Sequence, residues 1–247
     1  MHRNTIVLIA TLAVAWPIQA QVSEAAYNNR TPYAKTAYPS MAPVAEYRMD
    51  RDAEIALART GAPASISRDA EILVLGQKEY EVAVPGKNGF VCMIGRAFTG
   101  PFSNREFWNP KNRSPACLNP VAAKYVLPFF LKQAKLALAG KSQTEMYDAI
   151  KAAVDNKELP APETGAMIYM MSKEAYLTDR GGHNLSHIMF ELPRMDGAVW
   201  GSDMGTPGKY QDSPIFGVSF DPMPMVEFNV PVNQWSDGTA IEESHSH

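Results

Sequence analysis

Strand-like runs stand on both sides of a helical stretch punctuated by proline, and this block order restricts the fold more than any other feature. Three short runs rich in apolar and β-branched residues come first, at 72–75, 80–84 and 90–94. Their links, Gly76-Gln77-Lys78 and residues 85–89, are short and turn-rich, so the runs are expected to pair as an antiparallel meander. The middle reads as helix. Asn119-Pro120 supplies an N-cap and a first-turn proline, apolar residues continue to Leu138, and Gly140 is the stop. Pro128 lies inside this stretch and predicts a kink or restart near Leu127. Ser142-Gln143-Thr144-Glu145 is a capping box that opens a second helix through Met146, Ile150 and Val154, ended by Pro160 and Pro162. Strand character then returns at 167–171, 187–192, 215–220 and 225–232, with glycines in the loops between. The pattern predicts one α+β domain over residues 49–236, built on a mainly antiparallel sheet with a central helical segment.

The N-terminus has a different character. Arg3 precedes an apolar run over residues 6–16, Pro17 breaks it, and Ile18-Gln19-Ala20 ends it on a small residue before Gln21. That order predicts a signal peptide over residues 1–20, cleaved after Ala20, with the product in the periplasm or outside the cell. The run is too short for a membrane span, which needs ~20 apolar residues, and no later stretch is longer. Residues 21–48 hold four spaced tyrosines (27, 33, 38 and 47) without helical or strand period, and read as an extended arm or linker. Asp50 or Asp52 caps a first helix containing Ile55 and Leu57, which Gly61 and Pro63 stop. Residues 99–119 carry three prolines and read as a long irregular loop. Residues 237–247 form a polar tail.

Composition narrows the partners. At 46% hydrophobic and 20% charged residues the chain can bury a core. Its formal charge of −3 leaves no basic patch for a phosphate backbone, so nucleic acid is not an expected partner. The two cysteines, Cys92 and Cys117, read in an exported chain as one disulfide tying the 99–119 loop to the third strand. The alternative, a nucleophilic thiolate at Cys92, needs a base and leaves Cys117 without a role.

Familiar enzyme signatures are missing from the sequence. Gly140-Lys141-Ser142 looks like the end of a phosphate-binding loop, but Lys135 stands where its first glycine belongs and no strand precedes it. There is no G-x-S-x-G, S-x-x-K, HExxH or C-x-x-C-H. His183, His187 and Glu191 fall at intervals of four and would share one face of a helix, a metal-binding arrangement. Their context is a glycine loop entering a strand, where four residues span ~13 Å, so ordinary hydrogen bonding is the expectation. Eight of 13 methionines lie between Met167 and Met225, a composition suited to copper(I), but without a repeated array they read as core filling. Phe107, Trp108, Trp200 and Trp235 neighbour loop residues and are the candidates for a ligand groove, against the reading that they plug the core.

The segments Ala56-Leu57-Ala58-Arg59-Thr60-Gly61-Ala62-Pro63 with Ile66-Ser67, Asn88-Gly89-Phe90-Val91-Cys92, Tyr169-Met170-Met171-Ser172 and His187-Ile188-Met189-Phe190 resemble an uncharacterised group of secreted bacterial proteins. The resemblance implies export and a single domain, and carries no activity, cofactor or catalytic residue. The leading expectation is therefore a domain that binds a small-molecule or protein ligand without catalysis. The rival is a metal-dependent enzyme or metal-binding protein with its site in the glycine-rich loops of residues 181–208.

Overall fold

The computed structural model describes residues 38–179, 185–201, 215–219 and 221–241. Helices α1 (Val44–Tyr47), α2 (Arg51–Arg59) and α3 (Ala64–Ser67) lead into strands β1 (Glu71–Leu75), β2 (Tyr80–Val84) and β3 (Val91–Gly95). Strand β4 (Ser114–Leu118) precedes helices α4 (Pro120–Tyr125), α5 (Leu127–Leu138) and α6 (Gln143–Asp155). Strands β5 (Ala166–Met170), β6 (His187–Pro193), β7 (Phe216–Ser219) and β8 (Met225–Pro231) follow. Among the described residues the strands make one sheet in the order β2-β1-β3-β4-β5-β6-β8-β7. It is antiparallel except between β1 and β3, so the fold is α+β with a mainly antiparallel sheet. No helix among the described residues is long and apolar enough to cross a membrane.

The helix ends are set by their caps. The Asp50 carboxylate accepts from the backbone N–H groups of Asp52 and Ala53, and the Asn119 side chain from that of Ala122. Ser142 and Glu145 close both halves of a capping box. Each such cap stabilises its helix by about 1 kcal/mol. Pro128 sits in the first turn of α5, where its missing N–H breaks no helical bond, so the chain restarts after Val126.

Alternation along the strands sends side chains to two cores. Leu73, Leu75, Met93, Leu118, Ile168, Met189 and Met225 join Val126, Phe129, Ala134, Met146 and Ile150 in the main core, under α4, α5 and α6. Ile72, Cys92, Ile94 and Cys117 point the other way, toward Ala58 and Ala62 at the end of α2. A third cluster of Leu192, Val226 and Phe228 occupies the β6–β8 part of the sheet. Glu54 on α2 and Arg96 after β3 form a buried ion pair at 2.8 Å. Arg96 also donates to the carbonyls of Tyr47 and Ile94, and Glu54 accepts from the Leu75 N–H, so both charges are hydrogen-bonded.

The three N-terminal strands are not a meander. β2 pairs with β1 as a hairpin, but β3 lies on the other side of β1 and runs parallel to it, with Glu71 opposite Val91. The link after β2 does not turn back; it crosses the start of β1, where Lys87 N–H donates to the Asp69 carbonyl and Glu71 N–H to that of Phe90. Gly86 permits the crossing, because a Cβ there would lie 2.3 Å from the Glu71 nitrogen.

The irregular segment is also shorter than residues 99–119, since Ser114–Leu118 is β4 despite Pro115. β5 pairs only with Cys117 and Leu118 of β4, so no ladder bond to that strand is missing at Pro115. Cys92 and Cys117 face each other across β3 and β4, with sulfurs bonded at 2.03 Å and Cα atoms 4.0 Å apart. The disulfide therefore joins two neighbouring strands, not a loop to a strand.

Residues 38–48, read as part of an arm, include the helical turn α1, and the ring of Tyr47 is buried in the main core. Its hydroxyl donates to the Trp108 carbonyl at 2.8 Å. The first residues of the expected polar tail fold back at Gly238, whose φ is 83°, through the Trp235–Thr239 and Ile241–Asn233 backbone bonds.

Candidate functional site

Two of the four aromatic candidates belong to the core. Phe107 and Trp108 are buried edge to face at 4.7 Å, and Phe107 stacks on Phe102 at 5.4 Å. Their polar neighbours are inside as well: buried Glu106 accepts from Asn109 and from the Thr178 hydroxyl, both at 2.7 Å. Trp200 is 46% exposed and stacks on Phe228 at 5.4 Å. Trp235 is half-buried in the turn that leads to Ser236 and Asp237. The four rings do not assemble into one groove.

His187 and Glu191 lie on the same face of β6, but four strand residues separate them by ~13 Å. His183 lies outside the described residues. His187 is buried, its Nδ1–H donates to the Leu185 carbonyl at 2.5 Å, and burial pushes its pKa down, which keeps the ring neutral. Among the described residues no three His, Cys, Asp or Glu side chains converge on a point that could hold a metal ion.

Glu191 has a different partner, Glu227, directly opposite it on β8. Both are buried on the sheet face that carries Met189 and Met225. Burial first, and then the Glu227 charge, push the Glu191 pKa well above the carboxylate range. Its carboxyl is therefore held protonated beside Glu227, while Glu191 Oε2 is buried without a hydrogen-bond partner among the described residues. Burial raises Glu227 to about 7, against the opposing pull of hydrogen bonds from Asn229 (2.7 Å) and Glu191. The two carboxyls sit opposite each other inside the core, each with its pKa raised by burial. A glutamate between Val226 and Phe228 in a strand of otherwise apolar character was the sequence signal for it.

A surface cleft of about 450 Å³ forms where the end of α2, the turn into α3 and the Ser236-Asp237 turn meet. Thr60 ends α2 by donating to the Leu57 carbonyl at 2.6 Å and shares a hydrogen bond with Ser172 at 2.6 Å. Gly61 then brings the backbone against β4, where a Cβ would come within 2.9 Å of the Ala116 nitrogen. The Met171 N–H donates to the Gly61 carbonyl, and the Ser236 N–H to that of Met171, so the cleft's two sides are tied to one strand end. Arg59 reaches across to the Ser67 and Arg68 carbonyls through Nη1, at 2.5 and 2.9 Å, which fixes its guanidinium at the rim. Ala62 and Ala64 supply apolar wall, and Arg68 the second cation. Asp237 pairs with Lys173 at 2.5 Å and accepts from Thr239; Lys173 first, then Thr239, hold its carboxyl well below the usual range.

None of the cleft residues was a candidate from the sequence, although Trp235 adjoins it. Comparison with known proteins adds nothing to this geometry: no family model, no curated protein and no solved structure matches the chain.

Proposed function

We propose that this chain is an exported domain that binds a small molecule, without transforming it, in the cleft between Arg59, Ala62, Ala64, Arg68 and the Ser236-Asp237 turn. The observation that carries the reading is an open surface concavity of about 450 Å³ with apolar wall and a few fixed polar groups. The absence of His and Cys from its lining favours binding over chemistry. Its one carboxylate, Asp237, is already committed to Lys173. Export is supported by the charged, apolar and small-residue order of residues 1–20 and by the pairing of both cysteines. The catalytic alternative draws mainly on His183 and on loop residues outside those described, and the histidine and glutamate of β6 do not meet.

The test is a fragment titration followed by backbone amide NMR on the processed protein. Shifts concentrated at residues 59–68 and 236–237 are the expected result. Ligands that move only residues elsewhere would refute the cleft as the binding site.

A further inference from the structure

Resting on the cleft as the binding site, we infer that its ligand is an organic monocarboxylate, held by Arg59 and Arg68 with its apolar body against Ala62 and Ala64. The charge of the lining points that way. Two guanidiniums face the cleft against a single carboxylate, Asp237, which keeps its charge and is paired with Lys173 at 2.5 Å. Among the described residues the Arg68 side chain has no acceptor, and Arg59 uses only Nη1, leaving Nε and Nη2 to donate. The two carbonyls that hold Nη1 also fix the plane of the Arg59 guanidinium. A fixed planar fork suits the two coplanar oxygens of a carboxylate, which it can engage bidentately. Asp237 on the opposite side stays ionised, and its exposed pair with Lys173 offsets its charge only in part, so the second negative charge of a dianion would be repelled there. Ala62 and Ala64, small and apolar, leave room beside the arginines for a hydrocarbon or aromatic body.

Matched probes test this on the processed full-length domain, with affinity measured by calorimetry and binding site by amide shifts. Benzoate and benzamide have the same shape and differ in charge; phenyl phosphate supplies the dianion. Benzoate is expected to bind in the cleft at least tenfold more tightly than benzamide and more tightly than phenyl phosphate. Arg68→Ala, at an exposed side chain, should cost benzoate about tenfold, the scale of one charge-assisted hydrogen bond, and cost benzamide, which carries no charge, several-fold less. Arg68→Lys should recover part of the loss, since it restores charge without the fork. Equal binding of benzamide, or tighter binding of phenyl phosphate, would overturn the carboxylate assignment and leave the cleft as a ligand site. Failure of every probe and of the wider fragment set to perturb residues 59–68 would overturn both.

Discussion

The Glu191–Glu227 pair makes the domain's stability fall as pH rises, in a direction opposite to that of ordinary salt-bridged carboxylates. Both pKa values are raised by folding, so between the unfolded and folded values the native state binds more protons than the unfolded chain. The stabilisation is complete below the ordinary value of 4.5 and is lost as pH passes through the folded value. For Glu227 the rise is from 4.5 to about 7, two and a half pH units. At ~1.4 kcal/mol per unit that is on the order of 3 kcal/mol, most of which disappears between pH 5 and pH 8. Glu191, raised by burial first and then by the Glu227 charge, adds to the loss in the same direction. The perturbation is the double substitution Glu191→Gln and Glu227→Gln, which keeps shape and hydrogen bonding but removes both titrations. Urea unfolding of both proteins at pH 5, 6, 7 and 8 gives a difference in which all other titrating groups cancel. That difference should shift toward the variant by at least about 2 kcal/mol from pH 5 to pH 8. A difference that stays constant across the series would refute the raised pKa values of the buried pair.

Two further outcomes follow from named contacts and a third from the N-terminal sequence. Replacing Cys92 and Cys117 together by Ala opens a connection of 25 residues and should cost about 3.5 kcal/mol in the chain-entropy model, read as a lower urea midpoint. Glu54→Ala strands the Arg96 guanidinium in the core and should cost about 3–5 kcal/mol, whereas removing the exposed Lys135–Glu79 pair should change stability by less than about 1 kcal/mol. Intact mass of exported protein should begin at Gln21; retention of Met1 in that material would contradict the targeting argument.

Local chemistry made the elements legible. Asp50, Asn119 and Ser142 announced their helices because a cap is decided within four residues, and Pro128 marked the break at Val126 for the same reason. Strand pairing was less accessible. A link of the length between β2 and β3 serves a hairpin or a crossing equally well, and the choice depends on Gly86 fitting against Glu71, a contact made only in the folded state. Phe107 and Trp108 looked like loop aromatics because Asn109 and Asn104 flank them. Those asparagines instead bond within the segment, with Asn109 buried beneath Glu106. The disulfide was readable from the cysteine count together with the expectation of export; that it bridges two paired strands was not. The cleft was invisible, since Arg59 and Arg68 look like ordinary surface cations until the Ser236-Asp237 turn is brought beside them. Glu227 was legible in principle, as the single acid within β8.

The most direct test of the cleft is a crystal of the processed domain soaked with benzoate. Density for the carboxylate within hydrogen-bond distance of Arg59 and Arg68, with the ring against Ala62 and Ala64, is the result predicted. Benzoate bound reproducibly at the β6–β8 face beside Trp200, with the cleft empty in the same crystals, would contradict it.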